Sequence, residues 1–487
     1  MGPVFVCLVP LAVAVARAAD RDDGAWVGVR LGMWFGILAY GSSIYWIATA
    51  LLIFTKLAML GYLGALFVLT VITAATGGAL YAARRSTRWP LAVLVPVVWV
   101  ASEMALNHLS DLAFPWLPLG LAVTHTPVLA QIADLSGVHG VSFWIALTNG
   151  LVADMWMHRA EHRANLLRGG AIVALLAVVA GYGAWRMRTV PLRPLGQVGI
   201  VQPNIPEDQK HESETIARSM GILARGTHEA EAKGHPQLVV WPETALADYL
   251  PAHRDWSDSL RALTTGSGVP LLTGMIDVVW HSRTQYDEYN AAMLVEPGGL
   301  VTQPIYHKRR LVPVVERVPF VNPDWFKWAG PYFGGFGVGA GPVVYQASVG
   351  RFGVLICYES IFPGESRQYR NDGADFLINI TNDAWFGHSN APYQHFSHLV
   401  LRAIENRAAV VRAANTGISG WIDPLGRIRA ATPIFEPAAE TFTVETSDVR
   451  TLYDTAGDFV GLLCSAAALA LVISHWWTRR RERGLVA

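Results

Sequence analysis

The chain is 487 residues long, 52% hydrophobic and only 16% charged, with 38 Lys and Arg balancing 38 Asp and Glu, and its mean hydropathy is +0.30. That balance excludes an ordinary soluble enzyme and leaves room for a membrane part plus one full domain, while zero formal net charge removes any bulk attraction to nucleic acid. Cys7, Cys357 and Cys464 are the three cysteines, two of them in separate apolar segments, so there is no disulfide framework.

Apolar runs approaching or exceeding the ~20 residues that span a bilayer fall at 5–19, 27–54, 57–82, 90–109, 138–157, 169–185 and 459–477. The first is short but lacks the basic leader of a signal peptide, and reads as a spanning helix. Arginines collect after the first run (Arg17, Arg21), the third (Arg84, Arg85, Arg88), the fifth (Arg159, Arg163, Arg168) and the last (Arg479, Arg480, Arg481, Arg483), whereas residues 110–137 contain no Lys or Arg. By the positive-inside rule the arginine side is cytoplasmic. The alternation then puts the long segment between the sixth and seventh runs on the other side, the periplasm of a diderm bacterium. Three regions are expected: a bundle at 1–190, a globular insert at 191–453, and a final helix with a basic tail at 454–487.

Within the insert, short β-rich runs at 196–201, 237–241, 270–276, 352–356 and 376–380 alternate with helical patterns at 212–233 and 394–412. Strands and helices alternating over this length predict a single α/β domain. The run 352–356 delivers Cys357 at its end, and open α/β sheets place their sites at the carboxyl ends of strands. A lone cysteine most simply reads as a small buried hydrophobe, an isolated Glu243 after Trp241-Pro242 as a solvated turn, and Lys308-Arg309-Arg310 as a solvated face. Together they read differently. Thiol attack on an acyl carbonyl needs a proton acceptor, a nucleophile and positive charge where the oxyanion develops, and Glu243, Cys357 and Lys308 supply one of each.

These residues stand in WPET (Glu243), YHKRRLVP (Lys308) and ICYES (Cys357), which resemble the Glu-Lys-Cys triad motifs of the nitrilase superfamily. VQPNIP at 201–206, NDAWFG at 382–387, FPWLPLG at 114–120 and the placement of the insert resemble the membrane-embedded branch of that superfamily, the apolipoprotein N-acyltransferases, over nearly the whole chain. The resemblance implies a transmembrane bundle carrying an αββα sandwich in the bacterial inner membrane. It implies a phospholipid acyl donor, a diacylglyceryl-cysteine apolipoprotein as amine acceptor, and no cofactor or metal. Cys357 would be acylated, Glu243 would act as base and Lys308 would stabilise the oxyanion, with Glu316, Tyr358 and Glu359 at supporting positions, Glu316 orienting Lys308. A membrane-anchored amidase cleaving a C–N bond with water would use the same triad, but seven spans exceed what a tether needs.

The family pattern also implies an eighth, amino-terminal helix, so this chain reads as shortened there. Pro203, His211 and Val315 stand where Gly, Trp and Gly are expected. The aromatics Trp325, Phe326, Trp328, Tyr332, Phe333 and Phe336, interleaved with glycines, predict a loop that dips into the headgroup layer. Glu103 within the fourth run is costly in lipid and must face the bundle interior or a polar cavity.

Overall fold

The computed structural model describes residues 2–52, 58–206, 213–250, 253–283, 285–317, 319–320, 335–482 and 484. The predicted aromatic loop therefore lies outside the described residues except for Phe336, and so does His211. The chain divides into two compact units, Met1–Thr189 with Thr455–Ala487, and Val190–Asp454.

In the first unit the described parts of the seven predicted runs are mainly helical, but among the described residues five helices are long and apolar enough to cross a membrane: Gly2–Arg21, Met59–Thr87, Ala133–Met157, His162–Thr189 and Phe459–Arg481. Leu91–Asn107 has 17 residues, a rise of about 25 Å against a hydrocarbon core of about 30 Å. The single run expected at 27–54 is also corrected. Its helix Ala25–Ser43 ends where Ile44 leaves helical geometry, and a second, Trp46–Leu52, follows. The Ser42 and Ser43 hydroxyls donate to the Leu38 and Ala39 carbonyls, competition that weakens a helix end.

Ala25–Ser43 packs closely on Ala58–Thr87 because glycines remove the intervening side chains. A Cβ on Gly32 would sit 2.1 Å from the Thr73 carbonyl oxygen, and one on Gly77 2.3 Å from that of Gly28. Without water to drive helices together, such close backbone approach supplies the packing. Glu103, 5% exposed, accepts the Trp99 indole N–H at 2.9 Å and the Leu119 backbone N–H at 2.8 Å, so it ties its helix to the segment that follows. His139 pairs with Asp458, joining Ala133–Met157 to the residues before the last helix.

The second unit holds two sheets. The first runs β14 (Ala438–Thr446), β1 (Arg193–Gln202), β2 (Leu238–Val240), β4 (Leu271–Trp280), β5 (Tyr286–Glu296), β6 (Leu300–Val301), with β3 (Leu246–Tyr249) on β4 and β7 (Tyr306–His307) on β5. The second runs β13 (Ile428–Ala431), β12 (Gly420–Ile422), β11 (Ala409–Ala414), β10 (Phe376–Thr381), β9 (Gly350–Ile356), β8 (Val344–Ala347). Strands β1 and β14 pack on β11, and β5 on β9, while Ser213–Lys233 and Arg254–Ser267 cover the first sheet and Pro363–Asn371 and Ala391–Asn406 the second. The order of layers is αββα.

One helix was read too far. The helix predicted over 394–412 ends at Asn406, Arg407 turns left-handed at φ 46°, and β11 follows in parallel with β10. Val410 and Val411 are β-branched and fully buried, and pairing with a central strand outweighs a helical pattern. Strands β9, β10 and β11 are parallel and buried on both faces, which explains their continuous apolar runs.

The glycine contact makes a direct test. Gly32→Val should destabilise the protein in detergent by about 2–3 kcal/mol through overpacking, read as a lowered thermal midpoint. Gly64→Val, where an added Cβ meets nothing within 4 Å, should leave the midpoint unchanged.

Candidate active site

The chemistry-bearing residues follow the carboxyl ends of strands, β2 and β9 in parallel pairs and β7 antiparallel to β5. Strand β2 is followed by Trp241, fully buried and donating its backbone N–H to Leu272 O at 2.8 Å, then Pro242, which stops the ladder, then Glu243. Gly274 on β4 lets that segment approach, since a Cβ there would lie 2.6 Å from Pro242 O and 2.7 Å from Glu243 Cα. Strand β7 ends at His307, and the next residue, Lys308, continues the ladder by donating its N–H to Asn290 O on β5 at 2.8 Å.

Lys308 is 1% exposed, with Glu243 at 5% and Glu316 at 8%. Its ammonium donates to Glu316 Oε1 at 2.8 Å and to Glu243 Oε1 at 3.1 Å. Asn290 Nδ2 donates to the same two oxygens, at 3.0 and 2.7 Å. The remaining carboxylate oxygens accept backbone hydrogens, Glu243 Oε2 from Asn382 at 2.9 Å and Glu316 Oε2 from Val312 at 2.7 Å. Burial alone would lower the lysine's pKa, but Glu243, Glu316 and Cys357 outweigh it and hold the ammonium well above its ordinary value.

Strand β9 ends at Ile356, and Cys357 takes a left-handed φ of 48° before a 3₁₀ turn, Cys357–Ile361. A non-glycine residue there is strained by about 1–3 kcal/mol and persists only where its surroundings impose it. Glu359 is one such constraint. Its Oε2 accepts the Ile356 N–H at 2.7 Å, and its Oε1 accepts the Arg309 N–H at 2.6 Å and the Tyr306 hydroxyl at 2.7 Å. One buried carboxylate thus ties the cysteine turn to the segment carrying Lys308. Burial first, then Glu365, pushes this carboxyl up to about 7. Tyr358 is buried, edge-on to Phe362 at 5.2 Å.

The Cys357 side remains partly exposed. Burial first, with Glu243 second, pushes its thiol well above the ordinary value, and Lys308 opposes them. A thiol protonated at rest, electrostatically coupled to a carboxylate and an ammonium, can become a nucleophile only as its proton is taken up. Among the described residues no cluster of three or more His, Cys, Asp or Glu could hold a metal ion.

Residues 197–452 match the carbon-nitrogen hydrolase family model, and residues 3–151 match that of the apolipoprotein N-acyltransferase N-terminal domain. An apolipoprotein N-acyltransferase of Geobacter metallireducens is 33% identical over 476 residues, 95% of this chain and 89% of that protein. The chain belongs to the apolipoprotein N-acyltransferase family. The Methylococcus capsulatus apolipoprotein N-acyltransferase is 31% identical across 98% of this chain and 93% of its own length. Among solved structures, an amidase of the nitrilase superfamily from Nesterenkonia AN1 is similar, with a TM-score of 0.40 and 19% identity over 56% of this chain and 99% of that one. Family membership makes this a membrane protein built as an N-acyltransferase on a nitrilase-type sheet domain.

Glu243, Lys308 and Glu316 are joined directly, and Glu359 links them to the Cys357 turn. Sequence reasoning missed Asn290, buried in a strand it did not predict, where it stands at the polar start of the apolar run 291–295. It also missed the Asp383, His395 and Arg412 cluster. Asp383 Oδ1 lies 3.0 Å from His395 Nδ1 and accepts from Thr381 Oγ1 at 3.1 Å, and the carboxylate pairs with Arg412. Burial alone would raise its carboxyl, but Arg412 and His395 outweigh it and bring it down to about 2.

Because that folded value lies below the usual one near 4, the stability Asp383 contributes is complete above about pH 4 and is lost as pH falls through about 2, roughly 2 kcal/mol in all. Thermal midpoints between these pH values should fall less steeply for Asp383→Asn than for the wild type.

Proposed function

We propose that this chain transfers a fatty acyl group from a phospholipid, through a thioester on Cys357, to the amino-terminal amine of diacylglyceryl-cysteine apolipoproteins. The observation that carries the reading is the buried Glu243–Lys308–Glu316 cluster tied through Glu359 to the Cys357 turn, in a chain of this family.

In the first half-reaction Glu243 accepts the thiol proton as Sγ attacks the ester carbonyl of the phospholipid. The oxyanion forms beside the Lys308 ammonium, which the two glutamates keep charged and in place. Collapse breaks the ester C–O bond, and the leaving lysophospholipid oxygen takes the proton from Glu243. In the second half-reaction the amine attacks the thioester, its proton passes to Glu243, and the departing sulfur recovers it. Donor and acceptor use one site in turn, a ping-pong sequence. Supporting positions divide the work, Glu316 and Asn290 orienting Lys308, and Glu359 holding the turn.

We place the protein in the bacterial inner membrane with Val190–Asp454 on the periplasmic side, where lipoproteins mature. Arg479, Arg480 and Arg481 at the end of the last helix support a cytoplasmic carboxyl terminus. Alkaline phosphatase fused after Asp448 should be active, and an inactive fusion of normal abundance would overturn the orientation.

The chemistry is tested by intact mass. In phospholipid micelles Cys357 should carry an acyl adduct that persists until a diacylated lipopeptide with a free amine is added, and that survives when the amine is blocked. Cys357→Ser should form no adduct. Free fatty acid released without lipopeptide, as fast as transfer occurs with it, would instead identify a hydrolase.

A further inference from the structure

The polar cluster missed by sequence reasoning ends on the backbone of Cys357. His395, on the helix Ala391–Asn406, places Nε2 3.0 Å from Cys357 O and 2.9 Å from Ser360 Oγ, while the Ser360 hydroxyl donates to the same carbonyl at 2.8 Å. A carbonyl oxygen can only accept, so the 3.0 Å contact is a hydrogen bond with Nε2 as its donor. The other ring nitrogen faces Asp383, which orients the imidazole. Arg412 fixes Asp383 in turn, its guanidinium held by Asn379 Oδ1 at 2.7 Å and Ile418 O at 2.9 Å. Gly417 makes room for that carboxylate, since a Cβ there would lie 2.4 Å from Asp383 Oδ2.

The order Asp383, His395, Ser360 has the connectivity of a hydroxyl nucleophile with its base, but Ser360 is fully buried and its hydrogen points into the turn. It meets no substrate. Ordinary core satisfaction is an equally poor account. Ser360 alone would satisfy the Cys357 carbonyl, whereas burying a carboxylate with a guanidinium is no more stabilising than packing apolar residues of the same volume. What the cluster adds is a rigid hold on one peptide at a residue whose φ is 48°.

We infer that His395, oriented by Asp383 and Arg412, is a positioning residue for acyl transfer: it fixes the Cys357 carbonyl and so the left-handed turn that aims the thiol. This rests on the proposed role of Cys357 as nucleophile. Glu359 holds the amide before the cysteine and His395 the carbonyl after it, so the strained residue is clamped from both sides. Relaxation of the turn would move Sγ relative to Glu243 and Lys308, and a displacement of about 1 Å can cost about 100-fold in rate.

The test is the rate of Cys357 acylation, followed by mass in phospholipid micelles of varied concentration, alongside the thermal midpoint of each variant. His395→Leu, of similar size with no donor, should acylate about 100-fold more slowly at saturating phospholipid, with the half-saturating concentration unchanged within twofold. His395→Gln, whose amide N–H can reach Cys357 O, should recover at least tenfold of that loss. A Leu variant with the wild-type rate would overturn the inference, and so would a Gln variant no faster than Leu at equal midpoints. If Leu does not fold, His395→Asn replaces it, one methylene too short to reach. Asn slower than Gln supports the role, and equal rates refute it. Wild-type protein that takes up no acyl group at Cys357 would instead remove the proposed function, and this inference with it.

Discussion

The candidate site depends on one buried cation. Lys308 lies 1% exposed between Glu243 and Glu316, and the two carboxylates outweigh its burial and keep the ammonium charged. Breaking a buried ion pair by removing one partner costs about 3–5 kcal/mol, so the three residues stand or fall as a set. The set is also short of positive charge, one ammonium serving two carboxylates. The deficit is met by dipoles: the Asn290 amide and the backbone N–H groups of Asn382 and Val312. Each comes from a different stretch of chain. Strand β5, the end of β10 and the turn before Glu316 are therefore all held to the same point, and the ammonium is preorganised where an oxyanion is proposed to develop.

A third carboxylate couples this cluster to the Cys357 turn. Glu359 accepts hydrogen bonds from both the Ile356 and the Arg309 amides, so the turn bearing Cys357 and the segment bearing Lys308 cannot move independently. The residue between is bent into a conformation that disfavours a side chain, and its thiol is held protonated by burial and by Glu243. These are costs that stability alone would not select. They are the expected signature of a site in which strain and desolvation are maintained by surrounding hydrogen bonds.

The membrane unit solves a different problem with different means. Its helices have no apolar contrast with lipid to bring them together, and glycines at 28, 32 and 77 allow backbones to touch instead. Some of its buried polar groups are paired across elements, Glu103 to Leu119 and His139 to Asp458. In a low-dielectric medium such pairs specify one arrangement of helices, because an unpaired polar group there is costly.

Residue types and order by themselves determined the two-part organisation, the α/β nature of the insert, and the stretches carrying Glu243, Lys308 and Cys357. Each of these is written locally, in hydropathy over a helix length, in β-branched runs of strand length, and in a polar residue placed just past a strand. The tertiary structure alone decided where the helix after Asn390 gives way to β11, because pairing with β10 is a non-local energy that no window of sequence contains. It decided likewise that Ala25–Ser43 stops at Ile44, and that Asn290 and His395 face the site. Their partners lie 47 and 38 residues away in the chain, and a hydrogen bond between such distant residues exists only once the sheets have packed.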